Sequence, residues 1–410
     1  MSARPAPPDR LLACGACLAV ASLYYIQPVL PLVGAEFGLA DRSTGWLPAL
    51  TQLGYMLGLL FLAPLGDRLN RKRIILSKLA MLLLALLLAA AAPDSATLMS
   101  ACLAIGLAAT VAQDFVPTAA DLAPPEARGR LVGRVMTGLL MGILLSRLVS
   151  GVLAQTADWR WTFALAAVAV ATLMGWTWRR LPDLRPTTTL PYLQLMRSLR
   201  ALWLEHPPLR LAGWAQSLMS IGFAAFWSSL AVFLNGAPFH LGAAACGAFG
   251  LVGIAGALAA PLVGRWIDRH GPEHVLRAAC GLAAASFALM FLLPLVPAEA
   301  RLPLLVVCAL GLDLGGQSAL VAHQNIVYAL DGTARSRLNS VLYCCMFAGI
   351  VAGSVLGAWA LERWGWSGVV GLALAGMLSG LGLRLVGWVP ALRVSRRGQG
   401  LALRLALRLA

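Results

Sequence analysis

Twelve apolar runs joined by short polar turns limit what this chain can fold into more than any other feature. They fall near residues 11–33, 44–65, 74–92, 97–120, 131–154, 161–178, 211–234, 243–263, 275–295, 302–325, 338–361 and 367–388. Each approaches or exceeds the ~20 residues that a helix needs to cross a hydrocarbon core. An open strand edge would leave its backbone groups unpaired in lipid, so the runs are expected to be helices. Composition agrees. Sixty per cent of residues are hydrophobic and 12% charged, against roughly a quarter charged in a soluble domain. The fold class expected is all-α integral membrane.

The net charge of +15 is no nucleic-acid footprint, because alternate loops divide the basic residues unevenly. One set holds Arg42, Arg160, Arg301 and Arg363. The other holds Arg71-Lys72-Arg73, Arg128, Arg130, Arg179, Arg180, Arg335 and Arg337, and both termini share that bias. The positive-inside rule then expects both termini and the central loop in the cytoplasm, with the chain multi-pass in a bacterial inner membrane. No small-residue cleavage site follows the first run, so it is read as a retained span. Cys14 and Cys17 form a C-x-x-C without further ligands, for which packing is the expected role. No G-x-x-x-x-G-K-[ST] occurs, which argues against ATP as the driving force. Neither a metal-ligand cluster nor a nucleophile–base pair is evident, so no metal, cofactor or catalysis is expected.

The longest polar interruption, 179–210, contains five prolines and divides the chain in two. The expected units are a six-helix bundle at 1–178, a cytoplasmic linker at 179–210, a second six-helix bundle at 211–389 and a cytoplasmic tail at 390–410. Residues 193–204 suggest a short amphipathic helix within the linker. A shift of 207 residues relates Arg128-Gly129-Arg130 to Arg335-Ser336-Arg337, and also relates Trp159 to Trp366. A charged turn recurs as well, at Asp67-Arg68-Leu69-Asn70-Arg71 and at Asp268-Arg269-His270-Gly271. The halves read as a duplication.

The stretch Ala63-Pro64-Leu65-Gly66-Asp67-Arg68-Leu69-Asn70-Arg71-Lys72 resembles the G-x-L-A-D-R-x-G-R-K loop of the major facilitator superfamily, with Ala63 and Asn70 in place of two glycines. The resemblance covers nearly the whole chain and implies a transporter of two pseudo-symmetric bundles. It further implies that the turns gate the cytoplasmic side. Asp67, beside Arg68, would face the helix start near Leu338, and Asp268, beside Arg269, the one near Leu131, each as a charge–dipole contact. Arg71 would pair with Asp121. Asparagine tolerates positive φ, so a tight turn at Asn70 is expected. The family's antiporter motif G-x-x-x-G-P-x-x-G-G corresponds to Gly142, Ser146-Arg147 and Ser150-Gly151, with Arg147 standing where the proline would be. Its small face (Gly138, Gly142, Ser146, Ser150) suits close helix packing. Tyr24-Tyr25-Ile26-Gln27-Pro28 resembles an efflux-type subgroup related to drug and sugar exporters, which implies export.

Ionisable side chains inside spans are expensive and usually face a cavity or a partner. From the cytoplasmic helix ends, Asp114 should lie about 9 Å deep, Asp313 roughly 18–20 Å and Arg147 about 24 Å. Arg147 and Asp313, similar in height and from opposite halves, are expected to form an interdomain ion pair, or an anion site at Arg147 balanced by Asp313; pairing of each within its own half is the alternative. Asp313, Gln317 and Gln324 share one helical face, with His323 beside it. The resemblance implies that helices one, four, seven and ten line a central cavity, which adds Tyr24, Gln27, Gln216 and Trp227. Asp114 and Asp313 are the carboxylates whose change of partner would take up and release a proton.

The reading is a monomeric secondary transporter, surrounded by lipid, that moves a small organic solute by alternating access, with proton-coupled export as the expected mode. An uncoupled facilitator or importer, and a receptor or assembly factor that has lost transport, stay open at this point.

Overall fold

A computed structural model describes residues 9–124, 127–184, 191–331 and 334–409; the side chains of Asp67, residues 254–261, Ser336 and residues 387–409 lie outside that description. Among the described residues every regular element is a helix. Span 1 is Asp9–Ala21 and Leu30–Phe37, span 2 Trp46–Phe61, span 3 Arg71–Ala90, and span 4 Ser95–Ala109 with Val111–Leu122. Span 5 is Arg128–Thr156, span 6 Trp159–Arg180 and span 7 Pro207–Asn235. Span 8 is Ala243–Phe249 with Ile254–His270, span 9 Pro272–Met290 and span 10 Ala298–Tyr328. Spans 11 and 12 share one helix, Arg335–Leu409, interrupted at Gly365. There φ is 64°, a value glycine adopts freely and other residues rarely do.

Seven stretches are long and apolar enough by themselves to cross a membrane, and one of them, Arg337–Val386, contains both final spans. The shortfall against twelve has local causes. Span 1 opens into turns between Ala21 and Leu30, where Pro28 and Pro31 cannot donate to a helical ladder. Span 8 tightens to a 3₁₀ turn over Gly250–Gly253, span 2 is 16 residues long, and span 9 begins with Glu273 and Arg277.

One core gathers residues from Leu11 to Leu181, joined by Ala243 and Phe347, and a second runs from Met219 to Met377. The duplication is visible in the packing. Spans 1 and 5 approach so closely that a Cβ at Gly142 would collide with the Cys17 carbonyl. Spans 7 and 11 do the same where Gly349 meets Ser217 and Gly353 meets Ile221. Trp159 and Trp366 are both buried, the first edge-on to Phe37 and Phe163, the second against Phe226 and Phe233.

The two charged turns differ. Gly271 has φ 79°, but Asn70 sits at φ −58°, so the turn at Asn70 is made without the positive φ that asparagine tolerates. The asparagine instead caps span 3, accepting from Lys72 N at 3.0 Å, and donates to Asp183 at 2.8 Å. A side chain that can cap its own helix removes the need for glycine.

The halves meet where span 2 packs on span 11 and span 5 on span 8. On the face away from the termini, Arg42 N donates to Glu362 Oε2 at 2.9 Å and Ala244 N to Gln155 Oε1 at 2.9 Å. At the other face a linker helix, Tyr192–Glu205, buries Leu199 and Leu202, and its Tyr192 hydroxyl donates to the Phe61 carbonyl at 3.0 Å.

Candidate functional site

The break in span 1 turns Tyr24 and Gln27 inward, towards span 5. Arg147 Nε donates to Gln27 Oε1 at 2.8 Å. Its guanidinium carbon lies 4.7 Å from the Tyr24 ring centroid and 4.7 Å from that of Trp227 on span 7. One cation is thus held between an aromatic ring of each half. Gly247 and Gly250 make this geometry accessible, because a Cβ at Gly247 would strike the Arg147 carbonyl and one at Gly250 the arginine stem. Arg147 is 7% exposed. Among the described residues its terminal Nη1 and Nη2 make no hydrogen bond or ion pair.

Asp313 is buried on span 10. A Cβ at Gly253 would stand 3.3 Å from Leu144 of the first half and 3.8 Å from Asp313 Oδ2, so span 8 separates the carboxylate from span 5. Arg147, Tyr24 and Asp313 interact electrostatically, yet no ion pair within 4.0 Å joins Arg147 to Asp313. The direct pair expected from their heights is not formed in this conformation, because Gln27 and the two rings occupy the arginine. Other polar groups pair elsewhere along the spans. Gln324 Nε2 donates to Asn339 Oδ1 and the Tyr343 hydroxyl, each at 3.3 Å, and Gln113 Nε2 to the Tyr55 hydroxyl at 2.9 Å. Tyr55 lies 5.0 Å from Phe347 across the halves. Gln317 is half-buried and has no hydrogen-bond partner among the described residues.

Two candidates point elsewhere. Gln216 faces the interior of the second half, 2.8 Å from His323 Nδ1 and 3.3 Å from the Ser220 hydroxyl, with His323 wholly buried. Asp114 is engaged by Lys78 of span 3, whose ammonium donates at 2.7 Å with both side chains buried. Asp114 therefore belongs to the interior of its own half, close under Gly66 of the charged turn.

Within that turn Arg71 pairs with Asp121 and its Nε donates to the Gly66 carbonyl at 3.4 Å. The Asp67 side chain lies outside the described residues. Arg68, Asp268 and Arg269 are exposed, and among the described residues they make no hydrogen bond or ion pair. The cross-half contact expected of Asp268 is absent here. Closure polar contacts run instead through Arg42, Glu362, Gln155 and Ala244 on the opposite face. There burial, and then the Glu362 charge, raise the Asp41 carboxyl above its ordinary range.

Residue reading missed Lys78, Arg384, Tyr55 and Tyr343. The first two carried a signal, being basic residues within apolar runs, and each has an acid beside it: Asp114 for Lys78 and Glu273 for Arg384. The tyrosines carried none, since an aromatic at a helix interior is ordinary packing.

The sequence profile of the Major Facilitator Superfamily matches residues 12–320 and 215–404. The chain is 36% identical over 378 residues to "Uncharacterized transporter YgaY" of Escherichia coli, covering 92% of this chain and 94% of that one. It is 35% identical over 375 residues to "Probable transporter SCO4007" of Streptomyces coelicolor, covering 90% and 85%. Its fold is similar to that of a peptide transporter, POT, in complex with sulfate, with a TM-score of 0.73 at 14% identity and 95% of each chain covered.

Proposed function

The chain belongs to the major facilitator superfamily of transporters, and from that premise we propose that it moves a small organic solute across the bacterial inner membrane by alternating access, as proton-coupled export. The observation that most supports the reading is the seam around Arg147. A cation of the first half lies between Tyr24 of its own bundle and Trp227 of the other. Separation of the bundles would strip one ring from it, so occupancy of the seam and the conformation of the protein are linked. The bodies that move are residues 1–178 and 211–389. The distal contacts at Arg42–Glu362 and Gln155–Ala244 fit a state closed on that face, with the Asp268 turn disengaged on the other.

Asp313 is the better-placed proton carrier, since Asp114 has Lys78 as a buried counter-ion. Proton-coupled uptake is a second reading. It is favoured by the opposition of Arg147 and Asp313, because a proton on the acid would leave the arginine free to take a negative solute. Purified protein in proteoliposomes, screened against a solute panel with imposed pH gradients of either sign, tests both. Gradient-driven flux that Asp313→Asn uncouples is expected. If no solute exchanges under any gradient, the transport reading fails.

A further inference from the structure

We propose that the central site recognises the carboxylate of a small organic monoanion through the Nη1 and Nη2 edge of Arg147. This names the substrate class of the transport site above and rests on the transport reading in its proton-coupled uptake form. Two rings lie against the guanidinium, each centroid 4.7 Å from its central carbon, and Nε is taken by Gln27. The edge left over carries two parallel N–H groups, the fork that matches a carboxylate bidentately. Among the described residues neither nitrogen has a hydrogen-bond or ion-pair partner, and the fork lies at the meeting of the halves.

Contact with two rings and the hydrogen bond to Gln27 hold the guanidinium before a ligand arrives, so little freedom is lost on binding. The charge count sets the valence. Asp313 offsets Arg147 in part, and Lys78 at the inner level is matched by Asp114. Arg147 is then the one cation open to a ligand at this level, and a single added negative charge disturbs its balance with Asp313 less than a phosphate dianion would. Tyr55, Phe347 and Tyr343, packed ring against ring where the halves meet, supply an aromatic wall for an apolar body.

The test is calorimetric titration of the full chain in lipid nanodiscs with benzoate, benzamide and benzylamine, which share a ring and differ in charge. Benzoate alone should bind. Arg147→Gln should weaken it by at least about 30-fold, and Arg147→Lys, which keeps the charge but loses the fork, by about tenfold. Asp313→Asn should leave it equal or tighter, because a competing negative charge is gone. Comparison of the three probes on the unaltered protein needs no variant to fold. Benzamide or benzylamine binding as well as benzoate overturns the proposal, as does no benzoate binding, or full binding by folded Arg147→Gln. Benzoate counterflow in proteoliposomes separates the two claims. Binding without flux sinks transport and leaves the carboxylate site standing. Flux of a neutral solute untouched by Arg147→Gln sinks the carboxylate site and leaves transport standing.

Discussion

Replacing Asp114 by asparagine should destabilise this protein by about 3–5 kcal/mol, the toll of removing one partner from a buried ion pair. Burial decides the magnitude. The Lys78 and Asp114 side chains are 5% and 6% exposed at 2.7 Å, whereas those of Arg134 and Asp9 are 57% and 36% exposed. A solvated pair of the second kind is worth roughly 0.2–1 kcal/mol. In Asp114→Asn the amide still accepts a hydrogen bond, but the Lys78 charge has lost its counter-charge in a region walled by apolar helices. An effect of that size changes the folded-to-unfolded ratio by about 150- to 5000-fold at 25 °C. Denaturant unfolding in a single detergent, followed by circular dichroism, would compare the wild type with Asp114→Asn, Lys78→Met and Asp9→Asn. Asp9→Asn should lose no more than about 1 kcal/mol. The double replacement Lys78→Met with Asp114→Leu should recover most of the loss, because two apolar side chains carry no desolvation penalty. If Asp114→Asn unfolds within about 1 kcal/mol of the wild type, or the double variant is no better than the singles, the pair behaves as a solvated one and the reasoning fails.

Glu362→Gln should loosen the distal face by about 0.2–1 kcal/mol, given a half-exposed partner, which is a ~1.4- to 5-fold shift towards separation. Distances between spin labels across the distal mouth would report it, and an unchanged distribution would refute it. Asp41 supplies a pH dependence. Its carboxyl is raised by burial and by Glu362 in the closed arrangement, so closure binds the proton more tightly than separation does. Acid should therefore favour distal closure, and closure should weaken as pH rises through the raised value; Asp41→Asn should flatten that profile in the same spin-label assay. Gly353→Leu should cost about 1–3 kcal/mol or abolish folding, since its Cβ would meet the Ile221 backbone. Gly129→Ala, which meets nothing within 4 Å, should unfold like the wild type.

The helical runs were legible because lipid demands internal pairing of every backbone group, a constraint that acts over 20 residues at a time and leaves a long trace in composition. The duplication was legible because Trp159 and Trp366 keep both residue type and offset. What escaped depends on shorter-range matters. The opening in span 1 follows from Pro28 and Pro31, which were visible, but which way Tyr24 and Gln27 then turn depends on span 5 packing. Heights along helices brought Arg147 and Asp313 to one level without revealing that span 8 separates them. Asp114 looked like a cavity residue because its face of span 4 was polar. The lysine that engages it sits on a different span, and pairing between spans has no signature along the chain. Asn70 shows the same limit in a turn, where capping and positive φ are two solutions open to one residue.

The centre joins two questions that a transporter usually poses separately. Arg147 and Asp313 bring opposite charges from opposite halves and nearly cancel. A monoanion on the arginine leaves a net negative charge in a poorly solvated place, where uncompensated charge is costly. A proton on Asp313 restores neutrality, so anion and proton each favour the binding of the other, and by linkage the effect is reciprocal. A proton gradient acting on that arrangement carries the anion along with the proton, which is uptake. Export driven by the same gradient requires a solute that competes with the proton, as a cation would at Asp313. The sign of the substrate's charge therefore fixes the direction. An anion whose affinity depends on Arg147 argues for cotransport, and the export reading holds for a solute that displaces the Asp313 proton.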